Sequence, residues 1–138
     1  MIRYLEKQNL LILETERTSY WIGLAYPAPV CLHWGRKIAP EDADMFEPLG
    51  GHSSFDTELW RERMEYPVFD GRTFENVSLK ADVPLNLRTT GVRVQGQQAE
   101  ITLADEANVM EVCLMYRVFE DCDVVEKHAR LTANAPVK

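Results

Sequence analysis

The chain has 138 residues, 46% of them hydrophobic and 9% aromatic, which is enough apolar material for one core and excludes a disordered or low-complexity chain. Its formal net charge of -7 and pI near 5.0 argue against a nucleic-acid partner, because phosphate binding needs clustered Lys and Arg and these are scattered here. One domain spanning 1–138, or a fragment of one, is the expectation.

The opening, MIRYLEKQNLLILETE, holds a short apolar run from Leu10 to Leu13 between charges. That run is too short for a signal h-region or a membrane span, so no membrane partner and a cytoplasmic location are expected. Period-two alternation then dominates, the signature of half-buried strands. Strands are expected at Leu10–Glu14, Thr18–Ala25, Val30–Trp34, Val77–Lys80, Leu85–Val94, Glu100–Leu103, Val109–Phe119 and Val124–Thr132. Turn signals separate them: Pro27 and Pro29, Gly35, Asp70-Gly71, Gly91 and Gly96, and Asp105 to Asn108. In Val109–Phe119, Met110, Val112, Leu114, Tyr116 and Val118 share one face, and Cys113, Met115 and Phe119 share the other with Glu111 and Arg117. Both faces are partly apolar, as in a strand covered on two sides. The fold class is therefore all-β, an antiparallel β-sandwich, broken by one long loop at 36–63.

That loop, RKIAPEDADMFEPLGGHSSFDTELWRER, mixes charge, Pro, Gly and isolated aromatics. A stretch this long in a compact domain is functional or disordered, and it is expected to be more mobile than the strands. DTELWRERM has the composition of a short helix capped by Asp56 or Thr57.

Few residues carry a chemical signal. Cys31 and His33, at i and i+2 on an expected strand, would point to one face and could share a metal ion. No further ligands stand at a fitting spacing, so a core thiol and a hydrogen-bonded His are the preferred reading, with no metal and no cofactor. A metal-dependent enzyme using Cys31, His33 and either His52 or His128 is the competing reading. Nothing ties any His to a nucleophile. The three cysteines, Cys31, Cys113 and Cys122, are an odd set read as reduced and mostly buried thiols. Loop carboxylates such as Glu41, Asp42, Asp44, Glu47, Asp56 and Glu58 read as solvated rather than as a catalytic pair. Trp21 and Trp34 read as core or interface residues, and Trp60, in the polar loop, is the tryptophan best placed to stack on a sugar ring.

A series of motifs in order resembles the amino-terminal region of family 36 glycoside hydrolases, the α-galactosidases. Thr18-Ser19-Tyr20 is followed by a strand, a turn and Cys31-Leu32-His33-Trp34-Gly35-Arg36-Lys37-Ile38, which is similar to the family's opening hairpin. Glu65-Tyr66-Pro67-Val68-Phe69 resembles its Glu-Tyr-Pro-x-Tyr step. Glu100 to Asp105, Val112 to Asp123 and Val124 to Thr132 resemble three later strands. The pattern departs in two places. Asp70-Gly71-Arg72-Thr73-Phe74-Glu75 has Thr73 and Glu75 where the family has Asp and Arg, and Lys127 stands where Arg is usual, keeping the charge and losing the bidentate fork.

The resemblance implies a non-catalytic β-supersandwich, present in part, that precedes a (β/α)8 barrel carrying the catalytic aspartates of an α-galactosidase. It implies no catalytic residue in this chain, an α-galactoside such as melibiose or raffinose as the substrate of the whole enzyme, and a homo-oligomer. It further implies that the long loop helps to shape the galactose pocket, with Asp44, Asp42 and Phe46 as the local matches beside Trp60. The alternative is a stand-alone carbohydrate-binding or interaction module on the same fold. Because the family's sandwich continues beyond the equivalent of Val124–Thr132, uncovered strand edges and self-association are expected.

Overall fold

The computed structural model describes residues 1–41, 46, 58–71 and 76–138. Among the described residues, eight strands form two antiparallel four-stranded sheets. The first holds β1 (Ile2–Leu5), β2 (Leu10–Glu14), β3 (Thr18–Gly23) and β4 (Val30–Arg36), and the second holds β5 (Leu87–Gln95), β6 (Gln98–Asp105), β7 (Met110–Phe119) and β8 (Val124–Ala133), each in chain order. The expected antiparallel sandwich is the fold observed.

Alternation builds the main core. Leu11 and Leu13 of β2 and Ile22 of β3 meet Ala99, Ile101 and Leu103 of β6 and Met110, Val112, Leu114, Tyr116 and Val118 of β7. Each fully buried Leu or Ile contributes on the order of 1.5–3 kcal/mol, so this layer dominates stability. β2 reads as an unbroken apolar run because both of its faces are covered. Leu10 and Ile12 point away from the second sheet, into a smaller cluster with Trp21, Val30 and Leu32. Tyr26, Ile38, Phe46 and Trp60 pack over that cluster, so the described ends of the long loop form a lid on the outer face of the first sheet.

Several expectations need correction. Ile2–Leu5 is a strand although its four residues gave no clear alternation, and it pairs along its whole length with β2. Val77–Lys80 is not a strand; it makes a single parallel bridge between Leu79 and Val68. Among the described residues β7 is covered by a sheet on one side only. On its other face Glu111 and Arg117 are exposed, and the Arg117 guanidinium lies 4.8 Å from the Phe119 ring centroid, shielding it with a side chain instead of a second layer. Leu59–Arg63 is a 3-10 turn whose preceding residue, Glu58, makes no side-chain cap; Asp56 and Thr57 lie outside the described residues. The cysteines are free, with Cys113 buried, Cys31 half-buried and Cys122 exposed, so burial holds for fewer of them than expected.

Candidate functional site

β4 positions the residues with chemical potential. A register shift lies between Trp21 and Ile22, so His33 sits opposite Trp21 while Cys31 sits opposite Ile22. Trp21 faces the outer cluster and Ile22 the inter-sheet core, so the bulge turns Cys31 and His33 to opposite faces. This corrects the expectation that they share one face. The His33 ring packs at 5.8 Å from Trp21 and 5.2 Å from Phe46, and its Nε2 is 2.9 Å from the Arg36 carbonyl. Burial pushes the Cys31 thiol up, and the nearby Glu65 carboxylate adds to the effect. Both favour the protonated thiol.

Beside this strand lies a cavity of about 510 Å³ lined by Cys31, Leu32, His33, Trp34, Phe46, Glu62, Arg63 and Met64. Trp34 is 54% exposed and touches Tyr20 edge-on, with centroids 5.2 Å apart. It is therefore not a core residue, in contrast to Trp21, which is fully buried. Arg63 donates to the Phe46 carbonyl at 3.1 Å, tying the last residue of the loop to one in its interior.

The candidate sugar contacts separate. Asp42 and Asp44 lie outside the described residues. Phe46 packs on Trp21 at 5.9 Å and on His33, as part of the lid. Trp60 is half-buried, stacks on Tyr26 at 6.2 Å and has the Arg61 guanidinium 5.0 Å from its ring centroid. Arg61 is in turn held by Glu58 at 2.6 Å and by Asp70. Trp60 also borders a second cavity, of about 270 Å³, on the side of the lid near Asn86 and Arg88. Phe46 and Trp60 thus belong to one packed lid, but they border different cavities. Thr73 and Glu75 fall outside the described residues.

The residues that sequence reasoning did not assemble surround Glu65. This carboxylate is buried between the sheets and receives hydrogen bonds from Tyr20 Oη, from Tyr116 Oη at 2.8 Å and from Lys127 Nζ at 2.7 Å. Lys127 Nζ also donates to the Glu65 carbonyl at 2.7 Å. Burial pushes both phenols up and the Glu65 charge pushes them further, so they stay protonated donors. The four residues come from four separate motif segments and meet at one point. A single ammonium reaching two oxygens replaces the fork that an arginine would supply. A Glu directly before Tyr-Pro-Val-Phe was the available signal that a carboxylate would be buried there and need donors.

A second polar fastening joins the turns at one end of the sandwich. Asp123 accepts from Thr15 Oγ1 at 2.6 Å, from the Arg17 backbone N–H at 2.9 Å and from Arg17 Nε at 2.6 Å. The Thr15 hydroxyl and the Arg17 amide hold its carboxyl down to about 2.

The model of the "Glycosyl hydrolase family 36 N-terminal domain" matches residues 27–137. Comparison with curated proteins gives no match. Among solved structures, the galactosidase domain of the alpha-galactosidase-sucrose kinase AgaSK superposes with a TM-score of 0.76 at 21% identity, covering 98% of this chain and 23% of that one. The GH36 alpha-galactosidase AgaB from Geobacillus stearothermophilus gives a TM-score of 0.73 at 18% identity, covering 96% of this chain and 22% of that one. At these identities the likeness is one of fold, and this chain spans less than a quarter of the length of either solved relative. With two stacked four-stranded sheets and a family match over most of its length, the chain belongs to the family of glycosyl hydrolase family 36 N-terminal domains.

Proposed function

We propose that this chain is the non-catalytic sandwich domain of a cytoplasmic, homo-oligomeric enzyme that hydrolyses terminal α-galactosides such as melibiose or raffinose-type sugars. In this reading the 36–63 loop helps to shape the galactose pocket through Asp44, Asp42, Phe46 and Trp60, and a (β/α)8 barrel supplies the catalytic carboxylates. The observation that carries the reading is the family match, supported by the anchoring of Phe46 and Trp60 on the outer face of the first sheet, which gives the loop a fixed base. A glycosidase needs two carboxylates flanking the scissile bond, and in this reading both come from the barrel.

One observation favours a second reading, a stand-alone carbohydrate-binding module: the exposed Trp34 beside a cavity that also presents Glu62 and Arg63. Both readings are tested on the 138-residue protein. With an aryl α-galactoside no turnover is expected, and turnover abolished by Asp44→Ala or Asp42→Ala would overturn the first reading. Titration with melibiose, followed by tryptophan fluorescence, is expected to be silent for the scaffold. A saturable change that Trp34→Ala removes would establish the binding module instead.

A further inference from the structure

The turn Leu59–Arg63 crosses the outer face of the first sheet as part of the lid, and it is held in two different ways. Just after the turn the chain is pinned to β4 by its backbone. Met64 bridges Val30, and the Glu65 N–H donates to the Pro29 carbonyl at 2.8 Å. Within the turn, Trp60 packs over the outer cluster and stacks on Tyr26 with the ring planes 25° apart. A cavity of about 270 Å³ is walled by Trp60, Arg61 and Met64 of this segment and by Asp70, Asn86 and Arg88 of later ones.

Arg61 reaches from the turn to the body of the sandwich. Its Nε donates to Glu58 Oε2 at 2.6 Å, a pair that lies beside the turn and moves with it, whereas its Nη1 donates to Asp70. Asp70 belongs to the body. The Phe69 N–H donates to the Leu79 carbonyl at 3.0 Å, the Leu85 N–H donates to the Phe69 carbonyl at 2.9 Å, and Val68 and Leu85 are buried in the main core. The Arg61 and Asp70 side chains are only 18% and 16% exposed, so their attraction is screened less than that of a surface pair. The same guanidinium lies 5.0 Å from the Trp60 ring centroid, which couples the ring to the pair.

We infer that the Leu59–Arg63 segment is a hinged lid, with Met64–Glu65 as its hinge and the Arg61–Asp70 pair as its latch, so that releasing the pair uncovers the face beneath Trp60 while both sheets stay folded. A 3-10 turn of five residues has too few internal bonds to persist alone, so it frays once unlatched. Trp60 packs on the outer cluster, and the main core lies on the opposite face of the first sheet. Closed and open lids therefore differ in local contacts, and opening takes far less free energy than global unfolding. The latch is built from the described residues and stands whether or not the loop borders a galactose pocket.

Native-state hydrogen exchange of the 138-residue protein tests the inference. The Arg61 and Met64 amides, which bond to the Glu58 and Arg61 carbonyls, report on the lid, and the amides of β6 and β7 report on the sheets. Asp70→Asn should speed exchange at Arg61 and Met64 by about tenfold or more, because a hydrogen bond between charged groups is lost, and should leave β6 and β7 unchanged. Arg61→Ala should do at least as much, and adding Asp70→Asn to it should bring no further acceleration, because both act through one pair. Exchange at Arg61 and Met64 that is unchanged in the single variants overturns the latch. So does an equal acceleration in β6 and β7, or a double variant in which the two effects add. No sugar enters the measurement, so its failure leaves the galactose-pocket reading standing.

Discussion

Glu65 and Lys127 stand 62 positions apart in the chain, yet the Lys127 ammonium lies 2.7 Å from both the carboxylate and the main-chain oxygen of Glu65. A residue returning from the long loop is thereby fastened to the edge strand of the second sheet, with one phenol from each sheet completing the shell. Glu65→Ala takes the acceptor from two phenols and from a Lys127 ammonium that is one third exposed, and the loss of several bonds to a buried carboxylate should cost about 3 kcal/mol. Tyr116→Phe removes one donor and should cost on the order of 1–3 kcal/mol. Urea denaturation of the two variants is expected to give that order; equal, small losses would show that the cluster does not hold the sheets together.

Asp123 gives the acid limb of stability. Its folded carboxyl titrates near 2 against an ordinary value of 3.8, so the contribution is fully present above about pH 4–5. It is lost as the pH falls from there towards 2, because the protonated acid no longer accepts from Thr15 and Arg17. Denaturation midpoints measured between pH 5 and pH 2 should fall more steeply for the native chain than for Asp123→Asn. Parallel curves would contradict this assignment.

The two tryptophans on adjacent strands separate packing from surface. Trp21→Ala opens a cavity in the outer cluster and should cost about 3–5 kcal/mol. Trp34, half in solvent and touching Tyr20 edge-on, should cost under about 1.5 kcal/mol when replaced by Ala, mainly its aromatic contact. Chemical denaturation of both variants decides the point, and comparable losses would place Trp34 in the core.

Much of this architecture is legible in the sequence because its strands alternate. β6 and β7 declare an inner face at every second residue, and β2 declares burial on both sides. β1 escapes because four residues with Arg3 and Tyr4 among them show too little contrast. Val77–Lys80 misleads because Val77 and Leu79 alternate without a neighbouring strand to complete a ladder. The Cys31–His33 geometry is hidden for a different reason: a bulge shifts phase without leaving a compositional mark. The Glu65 cluster is legible as four residues and illegible as a contact, since hydrogen-bond partners distant in the chain are chosen by how the sheets stack. The site residues are the least accessible, because Phe46 and Trp60 owe their positions to a lid whose shape no periodicity encodes.

Every strand pairs with its neighbour in the chain, so each sheet assembles by closing short loops, and only one long segment, from Arg36 to Leu87, joins the halves. Closure entropy grows only with the logarithm of loop length, so doubling such a segment adds about 0.6 kcal/mol. The rate at which each meander forms depends on its local pairings and is indifferent to that segment. Lengthening that segment by insertion therefore adds little closure entropy and leaves the speed at which each sheet forms nearly untouched.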